Sequence, residues 1–490
     1  MPSITNNSSI KVLFATSEAY PLVKTGGLAD VSSGLPLALS KLDVDVRVIM
    51  PAYAQAVKNA NALTVIKEYT NEYPYRILEG QLEPTHTTKI WLIDIPQYFS
   101  RNGGPYSTDE GDDWPDNAER FTAFCRAATA IALNQLDMQW VPDIVHCNDW
   151  QTGLIPALLA EKTSRPKTVF TIHNMAYQGN FEEAIFQQLG LPHALWSMDA
   201  MEFYGKFSFL KGGLAFADTL NTVSPTYAEE ICTPQFGYGL DGLLNHRRDR
   251  LSGILNGVDY ARWNPKTDRH LTANYHVNCI ANKVKNKTAL QQRYQLTDDT
   301  QIPLIGIISR IVQQKGFELL LESLATLFRQ PLQLIILGSG DKKLELSLQE
   351  AANQYQSQMA LQLGYDEALA HLIIGGSDMF LMPSLFEPCG LTQIYSLRYG
   401  TVPVVHHTGG LADSIVNTNH ETFKRNEATG FHFYKASPKA LTKAVNRAIK
   451  HYQQPSLWQN IVQSGMQQDF SWEVSAKQYL MLYHKTLHCY

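Results

Sequence analysis

The chain has 490 residues, of which 44% are hydrophobic and 18% charged, and its formal net charge is -5. This composition excludes a mainly disordered chain, and the length predicts several domains, since one domain usually holds roughly 100–200 residues. The weakly acidic balance disfavours nucleic acid as the main partner, and no apolar run reaches the ~18 residues that cross a bilayer.

Short β-rich runs alternate with longer amphipathic stretches, which is the order of βαβ units in a parallel sheet. The strands predicted in the first half are Ile10–Thr16, Val44–Met50, Lys89–Ile95, Asp143–Cys147, Lys167–Ile172 and Asp218–Val223. Those predicted in the second half are Ile302–Ile308, Gln333–Leu337, Met379–Met382 and Thr401–Val405. The pattern predicts an α/β protein with two doubly wound, Rossmann-like domains.

The turn at Asn256-Gly257 lies between the two series of strands and marks the predicted boundary. We expect a first domain over residues 1–255 and a second over 256–466, followed by a C-terminal segment over 467–490. Ligands of such sheets bind at the carboxyl ends of the strands. Two sheets that face each other therefore predict a deep binding cleft between the domains.

The turn after the first strand contains Lys24-Thr25-Gly26-Gly27. Adjacent glycines let the backbone approach a ligand, the following helix offers amides and its positive end, and Lys24 adds a charge suited to phosphate. A surface turn with the same letters is the alternative, and the spacing of a Walker loop is absent. The letters of residues 25–30 recur at residues 408–413, which we interpret as one physical role at two helix starts.

Two further clusters follow predicted strands of the second half. Arg310 and Lys315 lie after its first strand, where two cations suit the diphosphate of a nucleotide sugar, although a solvated basic turn has the same composition. Glu387 and Thr392 lie around the turn made by Pro388 and Gly390. A carboxylate at such a strand end can orient sugar hydroxyls or stabilise positive charge at an anomeric carbon. A simple helix entry is the alternative there.

With these clusters in place, the chain resembles the bacterial glycogen synthases and the related plant starch synthases, which are retaining glycosyltransferases of the GT-B fold. The stretches that carry the resemblance are Lys24–Asp30, Asn102–Tyr106, His146–Trp150, Thr171–Asn174, Asn256–Asp259, Ser309–Gly316, Gly375–Pro383, Glu387–Gln393 and Thr408–Asp413. The resemblance implies transfer of glucose from ADP-glucose to the non-reducing end of an α-1,4-glucan such as glycogen, with retention of configuration. It also implies that the segment from Trp472 returns to the first domain.

The resemblance assigns a role to each matching site residue. It implies that the catalytic residues are Glu387, Arg310, Lys315, His173 and Asp149. Residues implied to bind the nucleotide sugar are Lys24, Gly26, Gly27, Arg310, Lys315, Tyr365, Thr392 and Asn256, with Tyr365 stacked on the adenine. Those implied to line the acceptor and sugar part of the cleft are Asp30, Tyr106 and His173.

Two positions bear on how close the resemblance is. Tyr395 stands where the wider group of retaining GT-B enzymes often has a second Glu, which the synthases also lack. Asn148 stands where bacterial synthases often have His, so the role of this residue stays open.

The resemblance implies neither a metal nor a cofactor, since ADP-glucose is a substrate. The expected partners are ADP-glucose and the glucan, without nucleic acid or membrane, and a homo-oligomer is allowed. The polar N-terminus shows no secretory signal and the six cysteines are scattered, so a cytoplasmic location is expected. The alternatives are UDP-glucose as donor, a nucleotide-sugar hydrolase or isomerase of the same fold, and a glucan-binding protein without activity.

Overall fold

The structure is a computed structural model that describes residues 9–70, 74–82 and 88–488. The chain divides into two compact units. The first unit extends to Gly257 and includes the helix that begins at Trp472, and the second unit comprises Val258–Ser471. The last two residues of the predicted C-terminal segment, Cys489 and Tyr490, lie outside the described residues.

The first unit alternates strands and helices along the chain. Its strands are β1 (Lys11–Ala15), β2 (Asp45–Pro51), β3 (Asn61–Tyr69), β4 (Tyr75–Gln81), β5 (Lys89–Asp94), β6 (Ile144–Asn148), β7 (Lys167–Ile172), β8 (Asn180–Glu182), β9 (Glu202–Phe203), β10 (Lys206–Ser208), β11 (Thr219–Thr222) and β12 (Leu251–Gly253). Its helices are α1 (Gly27–Ser40), α2 (Ala54–Asn59), α3 (Pro96–Phe99), α4 (Asn117–Ala132), α5 (Leu154–Ala160), α6 (Glu183–Gln188), α7 (Phe209–Phe216), α8 (Pro225–Glu230), α9 (Asp241–His246) and, at the C-terminus, α19 (Trp472–His488).

The main sheet of the first unit has the strand order β12-β11-β7-β6-β1-β2-β5-β4-β3. From β12 to β5 the neighbouring strands are parallel, and β4 and β3 extend the sheet as antiparallel strands. The order reverses direction between β1 and β6, and ligands of doubly wound sheets bind at such switch points. The loops that follow β1, β6 and β7 therefore meet at one edge of the sheet.

Helix α19 belongs to the core of the first unit. Trp472 is buried, and a Cβ atom on Gly34 of α1 would overlap its indole ring, so a glycine is required there for α19 to approach α1. Tyr483 of α19 donates to or accepts from His146 Nδ1 at 2.7 Å, while His146 Nε2 bonds Thr171 at 2.7 Å. These buried contacts fix the C-terminal helix against strands β6 and β7.

The second unit has a smaller sheet and most of the remaining helices. Its strands are β13 (Leu304–Ile308), β14 (Gln333–Gly338), β15 (Met359–Leu363), β16 (Met379–Met382), β17 (Val402–His406) and β18 (Phe431–Phe433). Its helices are α10 (Lys283–Arg293), α11 (Phe317–Leu327), α12 (Lys342–Gln354), α13 (Glu367–Gly376), α14 (Thr392–Arg398), α15 (Gly409–Ser414), α16 (His420–Lys424), α17 (Pro438–Tyr452) and α18 (Pro455–Met466).

The second sheet has the order β15-β14-β13-β16-β17-β18, and all its neighbouring strands are parallel. Its switch point lies between β13 and β16, so the loops after these two strands leave from the same edge. Each strand predicted from the sequence is confirmed by a strand in nearly the same place. The antiparallel pair β3–β4 was not predicted, because its residues are half-exposed and lack the continuous apolar runs of the buried strands.

Candidate active site

An ion pair lies at the switch point of the second unit. Lys315 Nζ is 2.6 Å from Glu387 Oε2, and Ser384 Oγ donates to the same oxygen at 3.0 Å. The two charged side chains are only 16% and 8% exposed. A buried ion pair is costly unless its remaining hydrogen-bonding groups are satisfied, and removal of one partner leaves an uncompensated charge. The structure thus brings together two of the residues that the sequence places after separate strands.

The turns that carry this pair are held against each other by backbone contacts. Leu385 N donates to Gln314 O at 2.8 Å, and Gln314 Nε2 donates to Phe386 O at 3.2 Å. Gly316 has φ +73°, and a Cβ atom there would lie 2.0 Å from Pro383 O. Both the backbone conformation and the space therefore require glycine directly after Lys315.

A second set of contacts supports Glu387 from behind. Gly410 N donates to Glu387 O at 3.0 Å, and a Cβ atom on Gly410 would lie 2.0 Å from Cys389 O. Gln393 Nε2 donates to Cys389 O and Gly390 O, each at 3.0 Å. The start of α15 and the buried amide of Gln393 thus fix the turn from which the Glu387 side chain projects.

The other predicted donor residues of the second unit lie at the same edge of its sheet. Arg310 is exposed in the loop after β13, and Thr392 is the half-buried first residue of α14. Tyr365 follows β15, is 80% exposed, and its hydroxyl donates to Glu367 Oε2 at 3.3 Å. An aromatic ring that is this exposed is accessible to a flat group that stacks on it.

In the first unit, the predicted glycine turn leads directly into α1. Lys24 Nζ lies 2.7 Å from Asp30 Oδ2, in the first turn of the helix, with side chains 36% and 20% exposed. Gly26 and Gly27 are exposed, and a Cβ atom on Gly26 would have no heavy atom within 4 Å. Within the described residues, the side chain of the N-cap position makes no capping hydrogen bond, and the positive end of α1 lies at this turn.

Sequence reasoning missed the residue that holds this turn. Glu18 is only 3% exposed, and its Oε2 accepts hydrogen bonds from the backbone amides of Thr25 and Gly26. Its Oε1 accepts from the hydroxyl of Tyr106 at 2.6 Å. The amides of Thr25 and Gly26 are thus already bound by a side chain.

Asp149 and His173 follow the neighbouring strands β6 and β7 and contact each other. Asp149 adopts φ +58°, and its Oδ1 accepts the backbone amide of His173 at 2.8 Å. Burial raises the pKa of Asp149 to about 7, whereas burial lowers the pKa of His173 to about 3. The imidazole of His173 is therefore neutral at physiological pH, and the Asp149 carboxyl group organises the backbone on which it is carried.

The structure assigns a role to Asn148, which the sequence left open. Asn148 Nδ2 donates to Ala15 O at 3.0 Å, so its Oδ1 is the atom that faces His173 Nε2 at 3.0 Å. An amide oxygen is only an acceptor, and Nε2 of the neutral imidazole must therefore carry the hydrogen. Nδ1 of His173 then carries a lone pair and acts as an acceptor.

Asn256 is placed apart from the other predicted residues of the first unit. It is 6% exposed, and its Oδ1 has no hydrogen-bond partner among the described residues. Buried polar atoms in proteins are nearly always hydrogen-bonded, so an unpaired acceptor is an atom that a ligand can satisfy.

Neither metal nor disulfide chemistry is built into the described residues. Within residues 9–70, 74–82 and 88–488, no three His, Cys, Asp or Glu side chains are grouped so that they could hold a metal ion. No disulfide joins the cysteines of these segments, and Cys389 beside Glu387 is buried. Among the helices of the described chain, none has the length and apolar character needed to span a bilayer.

The supporting residues were hard to find because their letters carry no motif. Glu18 and Gln393 bond backbone atoms of the glycine turn and of the Glu387 turn, and Ser384 bonds the Glu387 carboxylate; no spacing rule connects these residues to those partners. One signal was available for Glu18: it lies two residues after a predicted strand, at a sheet edge where ligands bind.

Comparisons with known proteins agree along the whole chain. Residues 11–246 match the family described as starch synthase catalytic domain, and residues 290–464 match glycosyl transferases group 1. Glycogen synthase 1 of Methylococcus capsulatus is 50% identical over 478 residues, which cover 98% of this chain and 97% of that protein. The glycogen synthase of Cellvibrio japonicus is 50% identical over 475 residues, covering 96% of this chain and 98% of that protein.

Solved structures give the same result. The catalytic domain of starch synthase IV from Arabidopsis thaliana, bound to ADP and acarbose, matches with a TM-score of 0.87 and 33% identity, covering 98% of this chain and 100% of that one. Sucrose-phosphate synthase from Thermosynechococcus elongatus matches with a TM-score of 0.59 and 16% identity, covering 97% of this chain and 98% of that one. The second similarity concerns the fold alone.

Proposed function

The chain belongs to the glycogen synthase family of GT-B glucosyltransferases, and from this premise we propose that its donor is ADP-glucose and that its acceptor is the non-reducing end of an α-1,4-glucan. The observation that carries the assignment of the chemistry is the buried pair of Lys315 and Glu387. A cation and a carboxylate side by side match the two charges that develop when a glycosyl phosphate bond breaks.

The cations act on the leaving group. As the bond between C1 of glucose and the diphosphate breaks, negative charge accumulates on the phosphate oxygens, and Lys315 and Arg310 stabilise it. Arg310 can bind two phosphate oxygens at once, whereas Lys315 supplies a point charge. Lys24 and the N-terminal end of α1 offer further positive charge to a phosphate.

Glu387 acts on the sugar. Positive charge develops at C1 and the ring oxygen in the transition state, and a fixed carboxylate nearby lowers its energy. The ion pair with Lys315 and the hydrogen bond from Ser384 hold the carboxylate in place. Removal of its charge should therefore reduce turnover more than donor binding.

Retention follows from attack on the face that the diphosphate leaves. The bond from C1 to the phosphate oxygen breaks, the bond from C1 to O4 of the acceptor glucose forms, and the proton of that hydroxyl passes to the departing phosphate. No oxidant or further reactant is required. We favour this route over a covalent intermediate, because no side chain has been identified as a nucleophile.

His173 serves the sugar as a neutral acceptor. Its Nε2 hydrogen is directed to Asn148, which leaves Nδ1 to accept a hydrogen bond from a sugar hydroxyl. Tyr365 offers its exposed face to the base of the nucleotide. An aromatic face also accepts uracil, so UDP-glucose is the second candidate donor.

The test measures transfer of radiolabelled glucose from ADP-glucose and from UDP-glucose into glycogen. We expect incorporation from ADP-glucose to be at least about 10-fold faster, with label in α-1,4 linkages, since a 10-fold preference needs only about 1.4 kcal/mol of differential binding. Faster incorporation from UDP-glucose would overturn the donor assignment. Nucleotide release that does not depend on glycogen would indicate a hydrolase instead.

The remaining expectations stay predictions. Transfer without a metal is tested by assay after treatment with EDTA, and a homo-oligomer is tested by light scattering of the purified chain. The cytoplasmic location is tested by cell fractionation.

A further inference from the structure

We propose that Glu18 is a positioning residue of the donor-binding machinery, which fixes the Lys24 turn by binding two of its backbone amides and connects this turn to Tyr106. The inference rests on the proposed function only in taking Lys24 as a contact of the nucleotide sugar.

The Glu18 side chain is buried without a cation beside it. It is 3% exposed, and no ion pair to it occurs within residues 9–70, 74–82 and 88–488. Buried polar groups in proteins need hydrogen-bond partners. The amides of Thr25 and Gly26 and the hydroxyl of Tyr106 supply those bonds, so this carboxylate and the turn fix each other.

The hydrogen bonds to Glu18 order the Lys24 turn before a ligand binds. Thr25, Gly26 and Gly27 are exposed, and a Cβ atom on Gly26 would meet no heavy atom within 4 Å, so side-chain packing does not hold this side of the turn. A flexible glycine turn would lose conformational freedom when it binds a phosphate, and that cost weakens binding. With Glu18 in place, the turn is already ordered and Lys24 starts from one position, where Asp30 holds it.

Tyr106 is a residue that the resemblance places on the acceptor side. Its hydroxyl lies 2.6 Å from Glu18 Oε1 and 2.7 Å from Ser17 Oγ, so both polar neighbours belong to the segment after β1. Tyr106 therefore helps to hold the Lys24 turn in place through its hydrogen bond to Glu18. Its removal should affect binding of the nucleotide even though the resemblance assigns this residue to the sugar.

The test compares ADP binding by calorimetry and the steady-state constants of the full chain for three variants. Glu18→Ala removes the support, and we expect the Kd for ADP and the KM for ADP-glucose to rise about 10-fold. Glu18→Gln keeps an oxygen for the two amides and an amide group for Tyr106, so it should stay within about 3-fold of the wild type. Tyr106→Phe removes one bond and should raise the Kd by about 3-fold.

A double-mutant cycle separates positioning from a general loss of structure. If Glu18 acts through the Lys24 turn, Glu18→Ala should change the Kd for ADP by less than about 3-fold when Lys24 is already alanine. Fully additive effects would overturn the proposal, and so would a Glu18→Gln variant as impaired as Glu18→Ala. If Glu18→Ala does not fold, Glu18→Gln and Tyr106→Phe still provide the comparison.

The matched control is Glu79→Ala in β4, three strands from β1 in the same sheet. Glu79 accepts a hydrogen bond from Trp91 Nε1 at 2.9 Å and pairs with Lys89. Its loss should lower the thermal stability of the first unit and leave the Kd for ADP unchanged. An equal rise in Kd for this control would overturn the proposal. The cycle is run with whichever of ADP or UDP the wild type binds, so a wrong donor assignment does not affect the result.

Discussion

The same six letters begin a helix in each unit, and the two copies are used in opposite ways. In residues 25–30 the glycines are exposed, and a Cβ atom on Gly26 would meet nothing within 4 Å. In residues 408–413 the glycines are buried, and Cβ atoms on Gly409 and Gly410 would each lie 2.0 Å from a carbonyl oxygen of the Glu387 turn. The first copy presents backbone outward, whereas the second packs behind Glu387. The interpretation of one role at two places is therefore wrong.

The motif therefore determines the local backbone shape, whereas the neighbouring residues determine what that shape does. Both copies begin a helix, but the helix starts at Gly27 in the first and at Gly409 in the second, one position earlier in the motif. The glycines of the first copy are exposed, whereas those of the second contact the turn of residues 387–389.

Among substitutions within the two copies, the largest expected effect is that of an alanine in the second copy. In Gly410→Ala the new Cβ atom must displace the backbone of Cys389 and with it Glu387, so we expect kcat to fall about 100-fold, as for a displacement of about 1 Å in other sites. The matched variant Gly26→Ala should stay within about 3-fold, because its Cβ atom enters open space. Equal losses in kcat for the two variants would remove the distinction between the copies.

The lysine beside each turn extends the comparison. Lys315→Ala leaves the carboxylate of Glu387 buried without its partner, so we expect kcat/KM to fall about 100-fold through both kcat and KM. Lys24→Ala removes a more exposed lysine, whose loss should raise the KM for ADP-glucose about 10-fold with little change in kcat. Steady-state kinetics over both substrates checks this, and a kcat effect at Lys24 as large as at Lys315 would contradict it.

Substitutions of Asn148 test whether His173 of the first unit contributes to turnover. Asn148→Ala removes the partner of His173 Nε2, so the ring hydrogen is no longer held on that nitrogen. We expect kcat to fall roughly 10-fold, which corresponds to the loss of one hydrogen bond to the sugar. Asn148→Asp keeps the tautomer but adds a charge that raises the pKa of His173. That variant should lose activity as the pH falls, at a higher pH than the wild type does. Identical pH profiles of kcat for Asn148→Asp and the wild type would exclude this contact.

The last comparison concerns the pH dependence of stability. The pKa of Asp149 is raised to about 7 in the folded chain, so between about pH 4 and pH 7 the folded state keeps a proton that the unfolded state releases. This group favours folding below about pH 4, and that contribution is lost as the pH rises through 7. Urea unfolding should therefore show Asp149→Asn gaining stability relative to the wild type from pH 4 to pH 7. A difference that is constant with pH would contradict the assignment.

The buried histidines give the opposite sign. Burial lowers the pKa of His146 to about 3, as it does for His173, so these groups favour folding above about pH 6.5. Their contribution is lost as the pH falls from 6.5 towards 3. A His146→Gln variant should consequently lose part of the acid sensitivity of the wild type in the same unfolding experiment.

The parallel core of both sheets could be predicted from the sequence, since buried parallel strands are continuous apolar runs such as Met379–Met382. The short strands β8, β9, β10 and β18 could not, because a run of two or three residues has no period. At the site, charged residues at strand ends could be found from their positions. The contacts of Glu18 with Tyr106 and of Asn148 with Ala15 and His173 could not, since only the folded chain brings those partners near.

The central claim is that Glu387 stabilises the sugar in the transition state and does not bind the nucleotide. Glu387→Gln tests this directly, by the rate of transfer from ADP-glucose to glycogen and by calorimetric binding of ADP to the same protein. We predict a fall in kcat of about 1,000-fold with the Kd for ADP changed by less than about 3-fold. Near-normal turnover, or a loss of activity that the weaker binding of ADP fully explains, would contradict the account.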